Sequence, residues 1–308
     1  MKDMINYYYN FNIESVEDWD TIYTFEWQKE NFYFVLLKRS ERELMDLIEV
    51  SKELKIRGIE CHDLILNKFG KLITNIYEAN YILIKPIGDI YEEYDLPKML
   101  KMNNTLILNP NKSNLYRNSW AKLWSDKIDY FEYQVHELGK GKEIILDSFS
   151  YYVGLGENAI SYLNNTNRKY KKTGLDRVCL SHRRIKYPNY KLNYLNPLSF
   201  IFDLEVRDIA EYIKSAFFEG ENALSYLKES LAITRFSIYS LELLYARLLY
   251  PSYYFDIYEK IMNEEEEEEK LISIIEASDD YEEFLKSAYI EINKYAPIEG
   301  ISWILDKK

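Results

Sequence analysis

The sequence predicts an α+β chain in two parts, a small β-rich N-terminal lobe over 1–88 and a large helical C-terminal lobe over 89–308. Three observations predict it. Aromatic and β-branched runs bounded by polar turns fill most of the first 85 residues, apolar residues at helical spacing dominate from about residue 115, and Pro86 and Gly88 interrupt the chain between them.

The elements follow in order. Thr21 to Trp27 and Phe32 to Lys38 read as strands, and the polar stretch Gln28 to Asn31 between them as a hairpin turn. Ser40 and Glu43 fit the Ser-x-x-Glu capping box, in which each side chain satisfies an orphan N–H of the other residue. A helix is expected from there to Gly58, with Leu44, Leu47, Ile48 and Leu54 on one face. Candidate strands at Asp63–Leu66, Lys71–Ile76 and Tyr81–Lys85 close the lobe. In the second lobe Trp120, Leu123, Trp124, Ile128 and Phe131 form one helical stripe. Tyr152, Leu155, Ala159 and Leu163 form another within Asp147–Leu163. An irregular segment spans Asn164 to Phe200. Helices are then expected over Val206–Phe218, Asn222–Leu249, Tyr254–Glu268 and Tyr281–Tyr295, with the run Glu264–Glu269 as a solvated helix end or loop.

Composition narrows function. The chain has 308 residues, 47% of them hydrophobic, and a formal net charge of -12 with a pI near 5.0. That field repels phosphate backbones and no basic stripe opposes it, so nucleic acid is not expected as a partner. The longest apolar run, Phe32 to Leu37, is far shorter than a bilayer span. The N-terminal residues lack the apolar core of a signal peptide, so the chain is expected in the cytosol, with Cys61 and Cys179 reduced. Thirty tyrosines stand against only ten glycines. The glycine poverty bears on chemistry, because backbone that wraps phosphate groups usually needs several glycines close together.

Several stretches resemble a known family. Ser148–Leu163 (Ser-Phe-Ser-Tyr-Tyr-Val-Gly-Leu-Gly-Glu-Asn-Ala-Ile-Ser-Tyr-Leu), Arg207–Ile213 and Tyr245–Pro251 are similar, in the right order, to the spore coat-associated YutH family; Cys179–Arg183 is so more loosely. The resemblance runs from about residue 20 to 300 and is strongest from 148 to 260. It implies a bilobal protein-kinase-like fold of the aminoglycoside and choline phosphotransferase type, with a catalytic segment at 178–208. It also implies other spore coat proteins as partners and a route from the mother-cell cytoplasm to the endospore coat.

A phosphotransferase of this type needs a lysine on the nucleotide phosphates, a glycine-rich cover, a catalytic aspartate and a metal-binding aspartate. Lys38, ending an apolar strand before the capped helix, occupies the lysine slot. Glu41 and Glu43 lie at the margins of the following helix's apolar stripe and Glu49 and Glu53 opposite it, so Glu43 is read as a cap rather than a buried partner of Lys38. The turn assigned to the phosphate cover, Gln28 to Asn31, has no glycine. Aligned on the pattern His-x-Asp-x-x-x-x-Asn, the chain reads His182 to Asn189 with Arg184 at the aspartate, a group that stays positive and accepts no proton. Asp203 is the alternative metal ligand, but it lies too near Asp208; the usual spacing falls on Asn196. Asp208 reads as a helix cap or a partner of Arg207 or Arg184, and His182 as a structural histidine. His62 and His136 have no ligand-spaced partners. His182, Arg184 and Asn189 are thus relics, no cofactor is expected, and the expected function is that of a non-catalytic scaffold. The alternatives are an active small-molecule kinase using Asp203 and Asn189 for metal, or a regulator that holds MgATP without turning it over.

Overall fold

The computed structural model describes residues 1–19, 22–105, 113–117 and 119–306. In chain order the elements begin with α1 (Lys2–Tyr9), β1 (Glu17–Trp19), β2 (Ile22–Trp27), β3 (Glu30–Leu36), α2 (Glu41–Ile56), β4 (Asp63–Ile65), β5 (Thr74–Ile76) and β6 (Ala79–Lys85). Next come α3 (Leu96–Thr105), α4 (Trp120–Leu138), α5 (Glu143–Lys169), β7 (Val178–His182), α6 (Lys191–Tyr194) and β8 (Phe200–Leu204). The chain closes with α7 (Val206–Phe218), α8 (Ala223–Ile233), α9 (Ile238–Leu249), α10 (Ser252–Met262), α11 (Ile272–Glu276), α12 (Ser278–Asn293) and α13 (Ser302–Leu305).

Two compact units result. The first holds residues 1–94, a short stretch ending at Leu115, and the distant segment Asn189–Phe200; the second takes the remainder. The first unit is built on an antiparallel sheet in the order β1-β2-β3-β6-β4, with β5 also paired to β6. Phe25, Phe32, Phe34 and Leu83 are buried with Ile5 and Tyr9 of α1, a helix absent from the sequence reading. Tyr7, Tyr8 and Tyr9 give it an amphipathic pattern that hydrophobic spacing alone does not separate from a strand.

The hairpin between β2 and β3 is tighter than expected. Trp27 pairs with Glu30, which leaves Gln28 (φ 53°) and Lys29 (φ 64°) as a two-residue turn with both central residues left-handed, as type I′ geometry requires. Thr21, the first residue of the expected strand, lies outside the described residues. The capping box of α2 is present: Ser40 Oγ accepts from Glu43 N at 3.2 Å, and Ser40 N donates to Glu43 Oε2 at 3.2 Å. The buried face is Leu44, Leu47, Val50 and Leu54, so Val50 replaces Ile48.

In the second unit α4 buries Trp120, Trp124, Ile128 and Phe131, as the stripe predicts. Leu123 is exposed. The helix α5 runs on past Leu163 to Lys169. It passes close to α4 at Gly156, where an added Cβ would stand 2.6 Å from Ile128 Cδ1. The expected helix Asn222–Leu249 is two helices broken at Thr234 to Ser237, and α9 is buried from Tyr239 to Leu249. Within the segment read as irregular, β7 forms and pairs with β8, which starts at the segment's last residue, as a two-stranded sheet. The acidic run is a largely exposed loop, as read, but the helix expected to reach Glu268 is shorter. α10 ends at Met262, and Glu268 accepts a hydrogen bond from Ile145 N at 3.1 Å, which caps the first turn of α5 from a distant point in the chain.

Candidate functional site

In the first unit, β3 ends at Leu36, so Lys38 stands beyond the strand and is exposed. The buried cation is its neighbour Arg39, which donates to the carbonyls of Leu198 (2.7 Å) and Phe200 (2.8 Å) and to Glu43 (3.3 Å). Arg39 thus fastens the segment Asn189–Phe200 to the start of α2, and Glu43 serves both the cap and this arginine. The position assigned to the phosphate cover is also corrected. Ile22 pairs with Val35 and Trp27 with Glu30, so the Gln28–Lys29 turn lies about 20 Å of strand away from the end of β3 that Lys38 follows. On the Lys38 side the chain passes from β1 to β2 through Asp20 and Thr21, which lie outside the described residues and include no glycine. Asn189 is held in this unit: its carbonyl accepts from Tyr94 N at 2.8 Å and its Nδ2 donates to Tyr94 O at 3.3 Å.

The same unit contains a cavity of about 850 Å³ bordered by Trp19, Trp27, Tyr33 and Tyr91. Its charged walls are Glu14, Glu17 and Glu26, with no lysine or arginine among the described lining residues.

The second unit collects the other candidates around β7, β8 and the start of α7. His182 is buried; its Nδ1 lies 2.8 Å from Asp208 Oδ2, and its backbone N donates to Asp208 Oδ1 at 3.3 Å. Asp208 is therefore the partner of His182, 3.9 Å from Arg207 Nε, and not a cap. Arg207 donates from Nε to the His182 carbonyl (3.2 Å), from Nη2 to the Arg183 carbonyl (3.2 Å), and from Nη1 to Asp203 Oδ2 (2.9 Å). One guanidinium thereby braces the chain beside the expected catalytic position.

Asp203 is fully buried and its carboxylate is occupied. Trp120 Nε1 donates to both oxygens at 3.1 and 2.9 Å, Leu204 N donates to Oδ1 at 2.8 Å, and Arg207 takes Oδ2. Burial pushes its pKa up, against Arg207, Arg247 and Trp120, which pull it down. Arg184 meets neither Asp203 nor Asp208: its Nη2 lies 2.6 Å from Asp256 Oδ1 on α10. Asn196 accepts from Leu198 N at 3.0 Å and caps a short 3-10 turn. Among the described residues, no three His, Cys, Asp or Glu side chains are grouped as a metal site would need.

The sequence reading does not reach Arg39, Trp120 or Arg247 as site residues. Arg247 carries a signal, since it interrupts the apolar run Leu243 to Leu249 and a charge buried there must find a partner. It lies over the Trp120 ring (4.4 Å) with Nε 3.0 Å from Glu211 Oε1.

The family described as "Spore coat putative kinase YutH" matches residues 2–288. The chain belongs to this family. It is also 33% identical over 208 residues to the endospore coat-associated protein YutH of Bacillus subtilis (strain 168), a match that spans 60% of this chain and 61% of that protein, less than two thirds of its length. Among solved structures it is similar to an aminoglycoside phosphotransferase from Alicyclobacillus acidocaldarius (TM-score 0.63, 8% identity, 94% of this chain and 95% of that one). A spectinomycin phosphotransferase gives a TM-score of 0.60 at 12% identity over 94% and 96% of the two chains. The choline kinase of Streptococcus pneumoniae gives 0.50 at 11% identity over 96% and 98%. At such identities the likeness shows the fold alone. This family member thus has the kinase-like phosphotransferase fold, with a small antiparallel sheet region and a large helical region, as the resemblance implied.

Proposed function

We propose that this protein is a non-catalytic kinase-fold component that acts by assembly at the endospore coat, reaching it from the mother-cell cytoplasm and partnering other coat proteins. The observation that carries the reading is Arg184. It stands where the His-x-Asp pattern puts the proton acceptor, and it is tied to Asp256. A positioned base contributes about 10²- to 10⁴-fold, and a guanidinium cannot act as one. The occupied carboxylate of Asp203 supports the same reading, as does the endospore coat association of the Bacillus subtilis relative. No helix among the described residues is long and apolar enough to cross a membrane. The test is a radiolabelled-ATP assay on the wild type and Arg184→Asp with amino sugars, amino alcohols and coat proteins as acceptors. No transfer is expected from either, because the groups of such a site act as a unit. Wild-type turnover that disappears on Asp203→Ala overturns the proposal and promotes the active kinase.

A second reading, nucleotide held without turnover, draws on the aromatic-lined cavity of the first unit. Its three glutamates repel a triphosphate. MgATP at millimolar concentration is therefore expected to leave the melting temperature unchanged, whereas one-site binding at 100 times Kd adds about 2.7 kcal/mol.

A further inference from the structure

The second unit contains a smaller cavity, of about 140 Å³, bordered by Trp120, Trp124, Arg184, Arg207, Arg247 and Tyr250. Lys127, Glu211 and Asp256 also face it. The charges around it are unevenly paired. Arg184 pairs with Asp256, Arg207 with Asp203 and Lys127 with Glu259. Lys214 and Arg247 must share Glu211, each at 3.0 Å. Arg207 also stands 3.9 Å from Asp208, so five cations meet five carboxylates unevenly: Arg207 has two, while Lys214 and Arg247 divide one.

Arg247 is the member left short. Its side chain is 7% exposed. Its Nε is in ion-pair range of Glu211 but off the line a hydrogen bond needs, and it is without a hydrogen-bond partner among the described residues. Stacking on Trp120 fixes the plane of the guanidinium without satisfying its N–H groups. A second orphan stands beside it. The Tyr250 hydroxyl, in a residue only 4% exposed, has no hydrogen-bond partner among the described residues either, and its ring stacks on Trp124 at 4.2 Å. Burial, with Asp256 next, pushes the Tyr250 pKa up, so the hydroxyl remains a donor. Burial, with Arg207 next, lowers Arg247 to about 10, and the guanidinium is still charged at neutral pH. Burial would raise the Glu211 carboxyl, but Lys214 and Arg247 hold it below the usual carboxylate range, so it stays ionised and engaged.

Buried donors without acceptors are costly, and native interiors contain few of them. Two beside one cavity, where two cations divide a single carboxylate, describe the half of a site that an oxyanion completes. We infer that this cavity binds a compact oxyanion of the phosphate class, held by the Arg247 guanidinium and the Tyr250 hydroxyl, with Arg184 half-exposed at its rim. Arginine forks match the oxygens of phosphate in this way. The inference stands independently of whether the chain transfers phosphate, and its test contains no nucleotide.

The experiment is calorimetric titration of the full chain at constant ionic strength with inorganic phosphate, glycerol 3-phosphate and acetate, on the wild type, Tyr250→Phe and Arg247→Gln. One saturable site for phosphate is expected, with acetate weaker by about tenfold or more because a monoanion offers fewer acceptors and half the charge. Glycerol 3-phosphate binding as well as phosphate assigns the site to the end of a phosphomonoester; phosphate binding alone assigns it to the free anion. Tyr250→Phe removes only a hydroxyl with no hydrogen-bond partner among the described residues. It is expected to fold as well as the wild type, to bind phosphate about tenfold more weakly, and to lose most of the melting-temperature rise that phosphate gives the wild type. Arg247→Gln is expected to abolish saturation, and if it does not fold, Tyr250→Phe decides. No saturable heat with either phosphate probe, or Tyr250→Phe binding phosphate as the wild type does, overturns the inference.

Discussion

Asp203 separates a structural carboxylate from a catalytic one, because the two roles predict opposite effects of removing it. Its oxygens accept two contacts from Trp120 Nε1, one from Leu204 N and one from Arg207 Nη1, and its side chain is fully buried. Asp203→Ala strands a guanidinium that is 10% exposed and an indole N–H that is buried. Breaking a buried ion pair from one side costs about 3–5 kcal/mol. Asp203→Asn keeps an acceptor for Trp120 but loses the charge facing Arg207, so it is expected to cost less, about 1.5–3 kcal/mol. The denaturation midpoint in urea should therefore fall in the order wild type, Asn, Ala. A carboxylate kept free for a metal behaves otherwise, since functional sites commonly sacrifice stability and neutralising them often raises it. An Asp203→Asn variant as stable as the wild type, or more so, refutes the structural account and returns Asp203 to the kinase reading.

The paired glycines of α5 should respond differently to the same change. Gly154 has open space where a Cβ would go, so Gly154→Ala is expected to stabilise by about 1 kcal/mol through helix propensity. Gly156→Ala should lose that gain against buried Ile128, and equal melting temperatures for the two variants would contradict the close approach. The tyrosines set an alkaline limit. Burial raises the pKa values of Tyr152, Tyr162, Tyr245, Tyr250, Tyr254, Tyr258 and Tyr281 in the second unit, that of Tyr254 to about 12. A raised folded pKa gives stability that is complete below the unfolded value near 10 and is lost as pH rises past it, here about 10 kcal/mol for the seven by pH 11. Tyrosinate absorbance and far-ultraviolet ellipticity should therefore change together near that pH; these seven ionising with ellipticity intact would count against their burial.

Local signals are legible where one residue type has one physical use. The capping box at Ser40 and Glu43, the α4 stripe and the antiparallel strands are of this kind, because period and cap chemistry leave few alternatives. What is not legible depends on partners far along the chain. Nothing local tells Glu268 apart from its five acidic neighbours, yet it is the one that caps α5 through Ile145. Likewise, Lys38 fits the lysine slot by order, but packing buries Arg39 instead and leaves Lys38 at the surface. Arg184 is legible as a substitution and illegible as a contact, since Asp256 lies 72 residues away.

Phosphoryl transfer by a kinase-like fold depends on carboxylates whose oxygens are available, one to take a proton and others to hold Mg²⁺. In this chain the corresponding region has the opposite arrangement. On the proposed reading Arg184 stands in place of the proton acceptor, and Arg207 is a brace that ties Asp203 to the carbonyls of His182 and Arg183. Asp208 is engaged in orienting His182, and Asp256 in holding Arg184. Arg184→Asp alone would put a carboxylate beside Asp256 while leaving Asp203 fastened to Trp120 and Arg207. The expected gain in activity is therefore nil, and like-charge repulsion against Asp256 should lower stability slightly. On that reading, the loss of one acceptor and the engagement of the other carboxylates by Arg207, Arg184 and His182 form a single electrostatic change. On the two readings proposed above, this region has more physical reason to attract an anion than to release a phosphoryl group.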